Sequence, residues 1–376
     1  MLGLDKAIVN IKNLKIDADQ LKTNILKKFE LADDIHSNNV DRIYLNSKKN
    51  KNPKYSYINY IEIKKVRYEF CSLSIEFNYP RFFKKTNFEL VTTQLEKEQV
   101  DFAIKLILYE VLGIEINKLS CSYSSLEIAE QMKITKFSDY NNILWLVYRA
   151  LSNSEVFKNK GNKCIYGDYS TFLKKFYVTG FSFSLEQGLI LKVYNKTLEN
   201  NKKANWDDEK VYSTELKSEI TTTEQNLKLI AKTANMDSLS LPYLKKSVKD
   251  KLEKTIKEAI KTQILSDRDE IIKRLKSLER ITPTTLQLFV VENNEWIIDY
   301  DFFNQILTKE IDGLKSKRSL KDYKKIAKDT LIRIEKSNSP VRSNTKNLKR
   351  LEMFLKNLLG ITIEIKFTED GEIQIF

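Results

Sequence analysis

A single histidine, His36, stands in a chain of 376 residues. A metal motif built on two histidines is therefore excluded, and a nucleophile–histidine–carboxylate triad would have to rest on that one residue. Cysteine is nearly as scarce. Cys71, Cys121 and Cys164 lie far apart and form no C-x-x-C pair. That spacing supplies neither a zinc ribbon nor a disulfide framework, so the three read as small apolar residues. No apolar run approaches the length of a membrane span, and no signal peptide is visible. The sequence thus predicts a cytoplasmic protein with no membrane partner. No repeat of fixed period and no long low-complexity tract is present, and after Thr223 only Gly313, Gly360 and Gly371 remain of nine glycines.

What is abundant is positive charge. Lys and Arg number 64 against 51 Asp and Glu, a net charge of +13 and a pI of about 9.2. This favours a polyanionic partner, with nucleic acid first. The chain is also rich in Lys, Asn and Ile throughout, and the composition of an AT-rich genome makes a protein basic by itself. The length suffices for two or three domains and a sizeable core.

Hydrophobic periodicity orders the elements. Residues 1–16 read as a strand and Ala18–Leu31 as a helix with Leu21, Ile25, Leu26 and Phe29 on one side. Ser37–Pro53 reads as a polar loop. Ser56–Val66 and Tyr68–Phe77 form a strand pair ended by Tyr79-Pro80. Glu89–Leu112 is a long helix whose apolar face comprises Leu95, Val100, Phe102, Ala103, Leu106, Ile107, Tyr109 and Val111, closed by Gly113. Lys118–Ser124 is the next strand, and Asp139–Leu151 a helix with Leu144, Trp145, Val147, Tyr148 and Leu151 as a core stripe. The order predicts an α+β fold with an antiparallel sheet over 1–223. The remainder, 224–376, is predicted as a basic helical domain. Its helices fall at Leu227–Thr233, Lys245–Ile264, Arg268–Leu278, Asp301–Ile311, Leu320–Ile334 and Asn344–Leu359, with a helix start or a strand at Pro283–Val291. A hairpin turned at Asp370-Gly371 closes it.

The stretch Leu185–Thr223 carries the most chemistry. Leu189, Leu191 and Val193 alternate with Ile190, Lys192 and Tyr194. A later strand has Glu215, Lys217 and Glu219 on one face and Leu216, Ser218 and Ile220 on the other. A tyrosine, lysines and a carboxylate can thus meet at one end of a sheet, a set suited to phosphate: a phenol to attack, lysines to hold, a carboxylate for a divalent cation.

Lys192-Val193-Tyr194-Asn195-Lys196, with Glu199 beyond, resembles the hydrophobic-Tyr-Asp-Lys…Glu signature of phage and plasmid rolling-circle replication initiators, and Lys217-Ser218-Glu219 resembles their Arg-x-Glu strand. Upstream, Ser74–Phe82 resembles a segment of the filamentous-phage gene II type proteins, and Asp168-Tyr169-Ser170…Thr179-Gly180-Phe181 resembles the entry to their signature strand. The resemblance covers the first two thirds of the chain. It implies an initiator endonuclease domain that binds DNA in preference to RNA and nicks one strand. By it Tyr194 is the nucleophile, Glu219 a ligand for Mg or Mn, and Lys192, Lys196 and Lys217 contact phosphate. Two departures stand out. Asn195 replaces the signature Asp, and Leu119–Ser124, where these families place an Asp or His, has neither. Glu76 or Glu115 would then have to complete the cation site. Otherwise the chain is an inactive, binding-only relative, reused for instance against a host RNA-guided (CRISPR) nuclease. Tyr194 as an aromatic packed at a strand end, and a basic scaffolding protein, are the plainer readings.

The most basic segment is Lys315–Arg350. Helical spacing puts Lys317, Lys321, Lys324 and Lys328 on one face, either a solvated surface or a nucleic-acid-binding face. Ser337–Val341 would be the turn of a helix-turn-helix there. A host nuclease or a replication protein is a further partner that these readings admit.

Overall fold

The computed structural model of the chain describes residues 2–29, 42–46, 53–67, 70–83, 89–134, 140–154, 163–170, 175–186, 188–197, 215–294, 296–311, 320–336, 347–368 and 373–376. The fold is α+β, as the sequence predicts. An antiparallel sheet occupies the N-terminal part, helices follow, and a small antiparallel hairpin lies near the end. Two compact units interleave along the chain. The first takes residues 1–130, 187–191 and 219–248, and the second residues 131–186, 192–218 and 249–376. Thr223 and Glu224, which flank the boundary expected from sequence, both fall in the first.

In the first unit, β1 (Gly3–Leu14) runs between two antiparallel neighbours. β4 (Phe70–Asn78) pairs on one side, with Val9 opposite Ile75, and β5 (Ser122–Lys133) on the other, with Leu4 opposite Ile128. β3 (Ile58–Arg67) and β2 (Arg42–Asn46) extend the sheet beyond β4. Beyond β5 come the first-unit parts of β9 (Glu215–Thr223) and β8 (Leu189–Asn195). β2 falls inside the stretch expected as loop. It is a five-residue edge strand whose Ile43 and Leu45 face Ile63 and Ile61. So few apolar positions in a Lys/Asn-rich stretch give periodicity little to detect.

Helix α1 (Ala18–Phe29) buries Leu21, Ile25 and Phe29 at the predicted spacing. Pro80 does not merely stop β4. It sits in the first turn of the short α2 (Tyr79–Phe82), where its missing N–H costs nothing, and Asn78 accepts from the Arg81 amide at 3.1 Å. α3 (Gln94–Leu112) begins at a capping box of Thr93 and Glu96, five residues after the expected start, and ends at Gly113 with φ 67°.

The buried face of α3 differs from the one expected. Val100, Ile107 and Val111 are buried, but Leu95, Phe102, Leu106 and Tyr109 are exposed, while Lys97, Asp101 and Lys105 are inside. A polar network decides this. The Tyr79 and Tyr123 hydroxyls each lie 2.8 Å from an Asp101 carboxylate oxygen and 2.8 Å from each other. Lys97 Nζ donates to Asp101 at 2.7 Å and to the Met236 carbonyl at 2.9 Å. Lys105 pairs with Asp237. Burial pushes the Asp101 carboxyl up against the pull of Lys97.

The second unit carries β9 residues 215–218, then β8 residues 192–195, then β7 (Lys175–Glu186) and β6 (Lys163–Ser170), in that order. Gly180 permits the close approach of β7 to β8. A Cβ there would meet the Val193 carbonyl at 2.4 Å and the Tyr194 Cα at 2.8 Å. α4 (Asn141–Asn153) buries Leu144, Val147 and Leu151. Trp145 and Tyr148 stack at 6.0 Å and are half-buried. The helix is bound to α6 by the Arg149–Asp267 ion pair and by Asn153 donating to Gln263 at 2.8 Å.

α5 (Glu224–Ile230) and the first turns of α6 belong to the first unit. α6 runs unbroken over Leu241–Lys276, where two helices were expected. α7 (Pro283–Glu292) is a helix with proline in its first turn and a Thr282 cap, resolving the helix-or-strand alternative. α8 (Tyr300–Ile311), α9 (Leu320–Lys336), α10 (Asn347–Leu359) and the β10–β11 hairpin (Ile365–Phe367, Ile373–Ile375) complete the unit. The expected turn residues Asp370-Gly371 lie outside the described residues. Asp299 accepts from the Asp301 amide at 2.8 Å and the Leu348 amide at 3.2 Å, so one carboxylate serves the starts of both α8 and α10.

The α3 network yields a first prediction. Asp101→Ala leaves Lys97 charged and buried without its counter-ion, a loss of about 3–5 kcal/mol in urea unfolding. Lys97→Met with Asp101→Leu removes both charges and should recover much of that loss. A double variant no more stable than the single one would show that the tyrosine hydroxyls, rather than the lysine charge, set the cost.

Candidate functional site

β1, β5 and β9 are successive strands in the first unit, and each contributes one carboxylate to the same place. Asp5, Glu127 and Glu219 are 7%, 6% and 8% exposed, and one carboxylate oxygen from each lies within 4.8 Å of the others. The local backbone explains how. Leu4 faces Ile128 and Lys6 faces Glu127, so Asp5 is the extra residue of a bulge in β1. A bulge re-aims the side chain it carries. β9 is held beside β5 by Thr222 Oγ1 donating to the Leu126 carbonyl at 2.9 Å.

Three carboxylates buried together repel one another. Glu127 is pushed up to about 8, first by burial, then by the Glu219 charge and by Asp5, against a smaller pull from Lys6. Lys6 Nζ stands 4.0 Å from Glu127 and 3.9 Å from Glu76. The cluster therefore needs a proton or a cation, and an all-oxygen anionic donor set fits a hard divalent ion such as Mg or Mn.

The carboxylates that meet Glu219 are not the two weighed from the sequence. Glu219 is joined by Asp5 and Glu127, not by Glu76 or Glu115. Glu76 accepts from Asn59 at 3.0 Å, and the exposed Glu115 pairs with Lys118 at 2.9 Å. β5 starts at Ser122 and runs to Lys133, beyond the expected end at Ser124, and so carries Glu127 past the stretch that holds no acid. Glu127, between the apolar Leu126 and Ile128, was the available signal; Asp5 had none, since bulges leave no mark in periodicity.

The signature residues lie in the second unit. Tyr194 is half-buried on the same side of β8 as Lys192. The buried Lys196 places Nζ 3.5 Å from the Tyr194 hydroxyl and 5.7 Å from its ring. Asn195 is buried. β9 is covered on both faces over residues 215–220, so the strict alternation expected there separates no exposed side. Lys217, expected on phosphate, is 1% exposed and so is withdrawn from solvent. On α9, Lys321 and Lys328 are exposed and Lys324 is half-buried, with Lys328 Nζ 5.4 Å from the Tyr300 ring. Lys317, Glu199 and Ser337–Val341 lie outside the described residues.

No family model matches the chain. No curated protein matches it either. Among solved structures, the di-domain ARO/CYC BexL from the BE-7585A biosynthetic pathway aligns over 68% of this chain and 96% of its own, at 10% identity and a TM-score of 0.18. A likeness that low carries no argument about fold or function. No helix among the described residues is long and apolar enough to cross a membrane.

The acidic cluster sets a pH dependence. A carboxyl whose folded pKa lies above its unfolded value of 4.5 binds its proton more tightly when folded. That stabilisation is complete below about 4.5 and is lost as pH rises through about 8. The metal-free protein should therefore lose on the order of a few kcal/mol between pH 5 and pH 9. Mn added at pH 9 should restore stability, and Glu127→Gln should flatten the slope. Urea midpoints across pH, with and without Mn, provide the check; an unchanged slope in Glu127→Gln would place its source elsewhere.

Proposed function

We propose that the chain is a nucleic-acid-binding replication initiator of a phage or plasmid, which nicks one DNA strand through Tyr194 with the help of a divalent cation. The observation that carries this reading is the company of Glu219. The residue singled out by its likeness to the initiator strand is one of three converging buried carboxylates. Asp5, Glu127 and Glu219 would hold the cation, which supplies Lewis-acid polarisation of the scissile phosphate. Tyr194 attacks phosphorus as the phenolate, forming a phosphotyrosyl bond and releasing a 3′-hydroxyl. Lys196 Nζ, 3.5 Å from the Tyr194 hydroxyl, stands where it could contact the same phosphate.

The burial of Lys217 supports a second reading. A lysine that cannot reach solvent contributes nothing to phosphate binding, and a chain that binds nucleic acid or a host nuclease without cutting would show the same feature.

A denaturing gel with a labelled origin from the protein's own element separates the two. Under the first reading, Mg or Mn supports a covalent adduct, Tyr194→Phe abolishes it with the fold intact, and Glu219→Ala slows it by at least about 100-fold, since loss of a ligand costs no less than loss of a group that only orients one. An adduct persisting in Tyr194→Phe would move the nucleophile, and no adduct with either metal would favour binding alone. Wherever the partner is nucleic acid, association should be salt-sensitive, falling by roughly 10³-fold or more between 50 and 200 mM salt if six or more phosphates are contacted. Replacing Lys321, Lys324 and Lys328 together by glutamate should weaken it sharply if α9 is the binding face; unchanged affinity would mark α9 as a solvated surface.

A further inference from the structure

Lys6 stands between two carboxylates and is committed to neither. Its Nζ lies 4.0 Å from Glu127 and 3.9 Å from Glu76, the outer limit of an ion pair and beyond the reach of a hydrogen bond. Strand register puts the three in one row. Lys6 of β1 is directly opposite Glu127 of β5. On its other side Lys6 is opposite Asn78 of β4, and Glu76 is the diagonal neighbour on the same face. Glu127 belongs to the acidic cluster and Glu76 does not. Glu76 is held instead by Asn59 of β3, which donates to its Oε1 at 3.0 Å, while the Asn59 carbonyl oxygen accepts from Arg81 at 3.3 Å.

A divalent cation among Asp5, Glu127 and Glu219 would bring two positive charges close to the Lys6 ammonium. In a shielded site like charges repel strongly. The ammonium then has to leave Glu127, and Glu76 is already within reach. The two separations are nearly equal, so side-chain torsions suffice and the backbone stays in place. We infer that Lys6 is an internal competitor for the cation: it neutralises Glu127 while the cluster is metal-free and transfers to Glu76 when a divalent cation enters. This rests on the reading of the cluster as a cation site. It adds a residue that sets the affinity of that site, with Glu76 as a positioning residue that acts through Lys6.

Calorimetric titration of Mn into the full chain at pH 8, without nucleic acid, tests it. Lys6→Met should tighten Mn binding by at least about tenfold, the smaller end of what one charge at this distance does to a proton equilibrium. A competing proton gains from the same change with half the charge, so the divalent ion keeps the advantage. Lys6→Arg keeps the charge and should bind Mn as the native chain does. Glu76→Gln should weaken binding by about fivefold, because the ammonium loses its second carboxylate. In a Lys6→Met background the same Glu76→Gln change should have no effect. All variants should keep the native circular-dichroism spectrum. Affinity unchanged or weakened in Lys6→Met would overturn the inference. So would a Glu76→Gln loss that persists in Lys6→Met, since that would make Glu76 a ligand. Mn binding absent from both the native chain and Lys6→Met, or surviving Glu219→Gln, would remove the cation site itself and the inference with it.

Discussion

The first unit hangs on one buried carboxylate. Asp101 gathers Tyr79 from the start of α2, Tyr123 from β5 and Lys97 from its own helix, and through Lys97 the Met236 carbonyl. Four stretches distant in sequence are fixed to one point by bonds of 2.7–2.9 Å. None of these groups can leave the network without stranding another in a dry interior, where an unpaired charge costs far more than the net value of any single bond. This constraint sets the rotation of α3. With Asp101 and Lys97 turned toward the sheet, the helix has no freedom to bury Phe102 or Leu106, although both are more apolar than the residues that replace them inside.

That rotation shows where sequence reading reaches and where it stops. Periodicity locates α3 and Gly113 marks its end, but the start set by the Thr93–Glu96 box lies five residues after the expected one. Periodicity cannot choose between two apolar faces, because the choice is made by tyrosines contributed from α2 and β5. α1 has a single apolar stripe, and there the predicted Leu21, Ile25 and Phe29 are the buried ones. The Asp370-Gly371 dipeptide made the closing hairpin legible, and proline after Thr282 fits a helix start that periodicity alone left open.

The acidic cluster divides in the same way. Glu219 stands out in a short motif, so it was legible locally. Its companions were not. Glu127 lies 92 residues upstream on a strand whose start was placed too early, and Asp5 owes its position to one extra residue in β1. A charge set completed across three strands is a property of register, which short-range patterns do not encode. Lys217 teaches the converse. Alternation along β9 is real, yet both faces are covered, so a lysine that reads as exposed is among the most deeply buried side chains of the chain.

The interleaving of the two units also places the acidic site in time. Asp5 and Glu127 precede Glu219 by 214 and 92 residues. At 5–20 residues per second, synthesis delivers Glu219 roughly 5–18 s after Glu127. During that interval β5 has its outer edge unpaired, and two carboxylates wait without the third. The nascent chain therefore lacks this three-carboxylate cluster, and a product truncated before β9 would hold two of its members without the third.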